Sequence, residues 1–306
     1  MKQELSIIIV TYNSEKHIFD CLDSVYKYND IGEALEVIIV DNQSNNFSKT
    51  KEELKTRYGG RIIIIENNRN GGYGQGNNVG IRAASAPIIM IMNPDVRLVE
   101  PIFRYAVDVF KDSNVVQYGV RALDKDGRFG NSMGISEQIN PIIRLPWHSI
   151  CNKKGWFFQK YMYLIGACFF IRKSSFEEIG LFDERIFMYG EEDDIHYRLL
   201  KKNKHFKILF DSSHSYTHLH GLYSPPKNIV DFKGEIICLD SYLLLLSERG
   251  IPKYSIIGLF IKQAQIRLLK AKMKYIMSHK RSNFDEIQHL KLRLLLLKNE
   301  QQKYIK

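Results

Sequence analysis

A chain of 306 residues with 44% hydrophobic and 12% aromatic side chains can bury one large core or two modest ones, which excludes disorder, collagen and coiled coil. Its formal net charge of +10 is entirely C-terminal: from Ile251 onward thirteen Lys and Arg residues face only Asp285, Glu286 and Glu300, and residues 1–250 are balanced. No apolar run reaches the roughly 18 residues of a membrane span, and the start of the chain lacks a signal-peptide cleavage site, so a cytoplasmic location is expected.

Leu5 to Thr11 is apolar and β-branched, a buried strand. Glu15 to Tyr28 then shows helical spacing at Ile18, Cys21, Leu22 and Val25, with Ser14 placed to cap it. Glu36 to Val40 predicts a second strand that breaks at the polar turn Asp41-Asn42-Gln43-Ser44. Phe47 to Tyr58 follows as a helix, Arg61 to Glu66 as a third strand, and Asn77 to Ala84 as a helix opening after a glycine-rich loop. Pro87 to Met92 is wholly apolar and stops at Asn93-Pro94-Asp95. Alternating strand and helix predict a parallel α/β sheet, in which ligands bind at the strands' C-terminal ends. Thr11, Asp41, Asn67 to Gly72 and Asp95 are therefore expected to converge on one crevice.

Residues 121–165, with Gly127, Gly130, Gly134, Pro141 and Pro146, predict turns and a long loop before an aromatic segment, to which the sequence assigns no particular chemistry. Gly166 to Arg172 predicts a strand, Ser174 to Ile179 a helical turn and Glu191 to Lys202 a helix crowded with acids at its start. Ile208 to Phe210 reads as a short strand running into a polar segment that contains His218 and His220. The four cysteines, Cys21, Cys151, Cys168 and Cys238, have no C-x-x-C spacing, which suggests reduced structural thiols.

Several of these motifs could carry chemistry. The run Asn70 to Asn78 could cradle phosphates between a strand and a helix, or be a flexible surface loop; Asn77 stands where G-x-G-x-x-G needs its third glycine, and no Gly-Lys-Ser/Thr follows. Asp95 could hold a divalent cation against a diphosphate, or simply close a turn. The cluster Glu191-Glu192-Asp193-Asp194 supplies candidates for a general base, or serves the helix dipole and an Asp194 to Arg198 pair. His218 and His220 could complete a metal site, or be ordinary hydrogen-bonded histidines.

Taken in order, Ser6-Ile-Ile-Ile-Val-Thr-Tyr-Asn13, Val40-Asp-Asn-Gln-Ser44, Asn70 to Asn78, Met92-Asn-Pro-Asp95, Gly180-Leu-Phe-Asp-Glu184, Phe187 to Asp194 with Arg198, and His218-Leu-His-Gly221 resemble the family 2 glycosyltransferases, specifically their rhamnosyltransferase-like branch. The resemblance implies a GT-A fold, a Rossmann-like, mostly parallel sheet with flanking helices, over residues 1–230, followed by a basic helical extension over 231–306. It implies inverting transfer of a sugar from a nucleotide-diphosphate donor, with dTDP-rhamnose as first candidate and a UDP-hexose as second, assisted by Mg2+ or Mn2+. Carried over by position, Thr11, Tyr12, Asn13, Asp41, Asn70, Gly72, Asn78 and Asn93 would bind the nucleotide-sugar, and Asp95 and His218 the metal. Glu192 stands where the family's catalytic Asp usually sits, flanked by Glu191 and Asp194, with Asp193 as the alternative one residue along.

The basic tail interleaves lysines with apolar residues, as do helices that lie on anionic lipid; nucleic acid is the rival partner and a solvated helical cap the bland reading. With a lipid-linked glycan as acceptor, the enzyme would sit at the inner face of the cell membrane, in O-antigen or capsule assembly. A sugar nucleotidyltransferase and a non-catalytic membrane-bound scaffold are the rival functions.

Overall fold

In the computed structural model of the chain, residues 2–219 and 232–304 are described. The chain divides into two compact units, Met1–Gly134 with Cys151–Leu222, and Ile135–Ile150 with Tyr223–Lys306. The expected boundary at 230/231 lies outside the described residues.

In chain order the first half runs β1 (Leu5–Thr11), α1 (Glu15–Lys27), β2 (Leu35–Asp41), α2 (Phe47–Tyr58), β3 (Ile63–Glu66), α3 (Gly72–Ala83), β4 (Ile88–Met92), β5 (Val96–Leu98), α4 (Phe103–Val109) and β6 (Val115–Leu123). It continues through β7 (Met133–Ile135), α5 (Pro141–Lys154), β8 (Met162–Leu164), β9 (Cys168–Arg172), α6 (Lys173–Glu178), α7 (Glu191–Lys202) and β10 (Lys207–His218). Three helices follow: α8 (Lys233–Glu248), α9 (Lys253–Ser278) and α10 (Arg281–Gln302).

Eight strands form a mixed sheet in the order β3-β2-β1-β4-β9-β6-β10-β5, and β7 and β8 pair separately. Within the large sheet β9 and β5 run against the other six. β1 is apolar without a break from Ile7 to Val10 because both sheet faces are covered. Ile7 and Ile9 join Ile18, Cys21 and Leu22 of α1 on one side, and Ile8 joins Ile81 of α3 and Ile195 and Leu199 of α7 on the other.

Three expected elements differ. Residues 121–165, expected as turns and a long loop, hold β7, α5 and β8. The glycine-rich run is not a loop: α3 begins at Gly72 rather than Asn77. Its glycines let the helix lie directly on the sheet, since a Cβ at Gly80 would stand 2.5 Å from Ile8 Cγ2 and one at Gly76 2.8 Å from Val10 Cγ1. Low helix propensity is thus overridden by close packing. β10, expected to end at Phe210, extends to His218 through a register shift between Asp211 and Ser215. The bulge is pinned locally: Asp211 accepts from Ser213 N–H at 2.7 Å and lies 2.6 Å from His214 Nδ1, and Glu100 accepts from Ser215 N–H at 2.7 Å. Polarity that resembles a turn is here the mark of an interrupted strand near a sheet edge.

In the second unit Leu239, Tyr242 and Leu246 of α8, Ile256, Ile257 and Phe260 of α9 and Leu297 of α10 share a core. Glu235 of α8 meets His289 Nε2 at 2.9 Å and Arg293 Nε at 3.0 Å, closing a buried ion cluster within this unit. No helix among the described residues is long and apolar enough to cross a membrane.

Candidate active site

β1 and β2 end side by side, and their following loops are stitched together. Thr11 Oγ1 donates to Asp41 Oδ1 at 3.1 Å, while Ser44 reaches the same carboxylate through its N–H at 2.9 Å and its hydroxyl at 2.5 Å. Asp41 is only 3% exposed and braces this turn. Asn13, in the left-handed region at φ 50°, donates its N–H to Ser44 Oγ at 2.8 Å and accepts from Asn45 N–H at 3.0 Å. Thr11 is buried, while Tyr12, 50% exposed, and Asn13 lie open to solvent.

The start of α3 is tied to the same corner. Asn42 Nδ2 donates to Gly72 O at 2.9 Å, Asn70 Oδ1 accepts from Gly72 N–H at 3.1 Å, and Asn67 Nδ2 bridges to Asn42 Oδ1 and Gln75 Oε1 at 2.9 and 2.6 Å. Gly72 has φ 90°, and any Cβ there would collide with Phe187 O, which accepts from Tyr73 N–H at 3.0 Å. Asn78, expected to bind nucleotide, is buried and clamps the segment after α6 instead. Its amide donates to Phe182 O and Glu184 Oε1 and accepts from Phe182 N–H, at 2.9, 3.0 and 3.0 Å.

Past β4, Asn93 N–H donates to Ala167 O at 2.9 Å. Asp95 and His218 come together as expected, Oδ2 to Nε2 at 3.3 Å. The contact follows from the antiparallel pairing of β5 with β10, which sets His218 opposite Val96, and from Leu219 N–H donating to Asp95 O at 3.1 Å. His220 lies outside the described residues. One oxygen and one nitrogen donor suit Mg2+ or Mn2+. No group of three or more His, Cys, Asp or Glu that could hold a metal is present among the described residues.

The four acids at the start of α7 face different surroundings. Gly190 at φ 99° turns the chain into the helix. Glu192 Oε1 accepts from Gly166 N–H at 2.9 Å, and Gly166 O accepts from Tyr73 OH at 2.5 Å, so the two peptide groups flanking Gly166 are both held. Burial pushes the Glu192 carboxyl upward against the backbone hydrogen bonds that favour its ionised form. Glu191 is pushed well up by burial and then by the charge of Glu192, and its Oε1 has no hydrogen-bond partner. Asp193 is buried. Asp194 is held by Arg198, Nε to Oδ2 at 2.7 Å, while Arg198 also donates to Ile179 O at 2.5 Å, an anchoring role. Tyr73, its hydroxyl held far above the usual range by burial and the charges of Glu192 and Glu191, remains a donor.

Glu192 and Asn93 are thus fixed on adjacent residues, Gly166 and Ala167, while Thr11, Tyr12 and Asn13 end the strand beside β4. Tyr73 and Gly166 carried no expectation of their own: a tyrosine in a glycine run and a glycine before an apolar strand give no such signal. A groove of about 460 Å³, bounded by Gly155–Gln159 and Ile208–Phe210, is aromatic and contains none of the expected residues.

A mixed central sheet in this strand order, covered by helices on both faces, is the fold of a GT-A glycosyltransferase. The sequence model of glycosyl transferase family 2 matches residues 6–180, more than half of the chain, and the chain belongs to that family. It is 29% identical over 215 residues to the low-salt glycan biosynthesis hexosyltransferase Agl10 of Haloferax volcanii, covering 66% of this chain and 64% of that protein. Glycosyltransferase GlyG of Streptococcus pneumoniae is 23% identical over 194 residues, 61% of this chain and 62% of that protein. The chain thus spans a little under two thirds of the length of these relatives. Mannosyltransferase PcManGT of Pyrobaculum calidifontis, solved with GDP-Man and Mn2+, superposes with a TM-score of 0.60 at 14% identity over 96% of this chain and 88% of its own, which shows a shared fold.

Proposed function

We propose that the chain catalyses inverting transfer of a sugar from a nucleotide-diphosphate donor to a hydroxyl of a glycan acceptor, with Glu192 as base. The observation that supports this reading is the bonded link from the Glu192 carboxylate through Gly166 and Ala167 to Asn93, at the start of the Asn93–Asp95 turn. Tyr12, Asn13 and the Asn70–Gly72 turn would line the nucleotide side, over the brace made by Thr11 and Asp41. The ionised Glu192 carboxylate takes the acceptor's O–H proton as that oxygen forms its bond to the anomeric carbon. The bond from that carbon to the diphosphate breaks on the opposite face, and the nucleotide diphosphate leaves with its electron pair. Mg2+ or Mn2+ on Asp95 and His218 would stabilise the charge on the departing diphosphate.

The motif pattern favours dTDP-rhamnose as donor, and the name of the Haloferax relative favours a hexose, so both belong in one screen. Supporting a membrane-bound, lipid-linked acceptor, α9 exposes Leu269, Met273, Ile276 and Met277 on one face with Lys270, Lys272 and Lys274 between them. Such a peripheral enzyme would work at the inner membrane face in polysaccharide assembly.

The test is release of nucleotide diphosphate with Mn2+ from dTDP-rhamnose, UDP-glucose, UDP-galactose and UDP-N-acetylhexosamines, for wild type and Glu192→Gln. Turnover of one donor that the variant loses supports the reading. Release of pyrophosphate from a nucleoside triphosphate and a sugar phosphate would make it a nucleotidyltransferase, and no donor binding at all would leave a scaffold.

A further inference from the structure

Helix α5 buries Pro141 and Cys151 together with Arg144, paired with Glu137, and Asn152, whose amide oxygen accepts from Ser132 N–H at 2.7 Å and whose amide donates to Met133 O at 3.0 Å. The face it turns to solvent carries Ile142, Ile143, Trp147 and Ile150, at 59%, 56%, 47% and 45% exposure. Ile143, Trp147 and Ile150, spaced by four and then three residues, make one helical stripe with Ile142 beside it. Four large apolar side chains left open together on one helix face form a patch of the kind that marks a contact surface.

Charge and side-chain type choose the cover. The fourteen residues of α5 include no acid, and the helix ends in exposed Lys153 and Lys154. An aliphatic stripe containing a tryptophan and finished by lysines matches the boundary between acyl chains and anionic headgroups, where indole is enriched and each cation near the surface is favourable. We propose that α5 is a bilayer-contact helix that lays Ile142, Ile143, Trp147 and Ile150 into an anionic membrane surface. The proposal extends the membrane setting given above but stands on a different helix from the basic tail, and it requires no statement about the sugar chemistry.

The full-length chain is tested by co-sedimentation with vesicles of phosphatidylglycerol and phosphatidylcholine in equal parts, and with phosphatidylcholine alone. I142S/I143S/W147S is expected to lose vesicle affinity by about tenfold or more while the tail keeps all its lysines. K153Q/K154Q should weaken binding to the anionic vesicles only. In W156F, Trp147 is the sole tryptophan, and its emission should shift to the blue on adding anionic vesicles without any disruptive substitution. Wild-type binding by the triple variant, or Trp147 emission indifferent to lipid, overturns the proposal. A wild-type dimer that the triple variant converts to monomer, with no vesicle binding by either, overturns it in favour of a second copy as the cover. Donor release unaltered by the triple variant in the absence of lipid keeps this result separate from the fate of the glycosyltransferase reading.

Discussion

Glu191 and Glu192 are neighbours in sequence, and burial raises both carboxyls, yet the structure asks different things of them. Glu192 is half-buried and bonded to Gly166, so it can release its acceptor-derived proton to solvent. A base must be ionised to act, so transfer should rise with pH through a value above the ordinary glutamate pKa of 4.5 and then level off. Glu192→Gln should lower turnover by roughly 10²–10⁴-fold with donor binding retained, whereas Asp193→Asn should not; steady-state rates beside donor titration calorimetry check both. Glu191 is enclosed, so its ionisation costs folding energy. Below the ordinary glutamate value both states are protonated. Above it the unfolded chain loses the proton first, and stability falls as pH rises until the folded group also ionises. Glu191→Gln removes that fall. Its melting temperature should exceed wild type by roughly 2–4 °C near neutral pH, the effect of about 1 kcal/mol in a chain of this size, and converge with it in acid. At this scale the sequence showed which residue types gather but not which partner each meets. Asp95 and His218 were legible as a pair, whereas nothing in the sequence showed that Asn78 holds Phe182 and Asp194 holds Arg198. The peptide that Glu192 needs lies 26 residues upstream, beyond any local pattern.

Strand β1, helices α2 and α7 and the order of elements through β4 were readable because apolar periodicity and length are local properties. The helix α3 and the far half of β10 were not. Glycine reads as loop when intrinsic propensity decides, but in α3 the absent Cβ atoms are what allow contact with Ile8, Val10 and Phe187. This makes a paired prediction. Gly72→Ala, at φ 90° and against Phe187 O, should destabilise by roughly 2–5 kcal/mol. Gly60→Ala, with open space around it, should be neutral or stabilise by up to about 1 kcal/mol. Urea denaturation of the two variants separates packing from propensity, since both remove one glycine from a helical segment.

For the whole molecule the decisive asymmetry is charge. An excess of +10 carried by the last 56 residues predicts that replacing Lys262, Lys270, Lys272 and Lys274 with Gln weakens binding to anionic vesicles at low salt. Raising salt from about 0.1 to about 0.5 M should erase that difference, because screened exposed charges no longer distinguish the two proteins. Vesicle flotation at both salts reads it directly. The tail's basicity was legible by counting; the exposed apolar face of α5 was not, because Ile, Trp and Lys read the same in sequence whether they turn in or out. The turn that leads into β9 has a last consequence. Asn93 and Glu192 are anchored one residue apart, at Ala167 and Gly166, at the head of a strand in the middle of the sheet. The spacing of these two residues is therefore set by one short turn joined to the core. The proposed base should then not melt apart from that core: on heating, turnover and the near-ultraviolet signal should disappear in a single step, at one temperature.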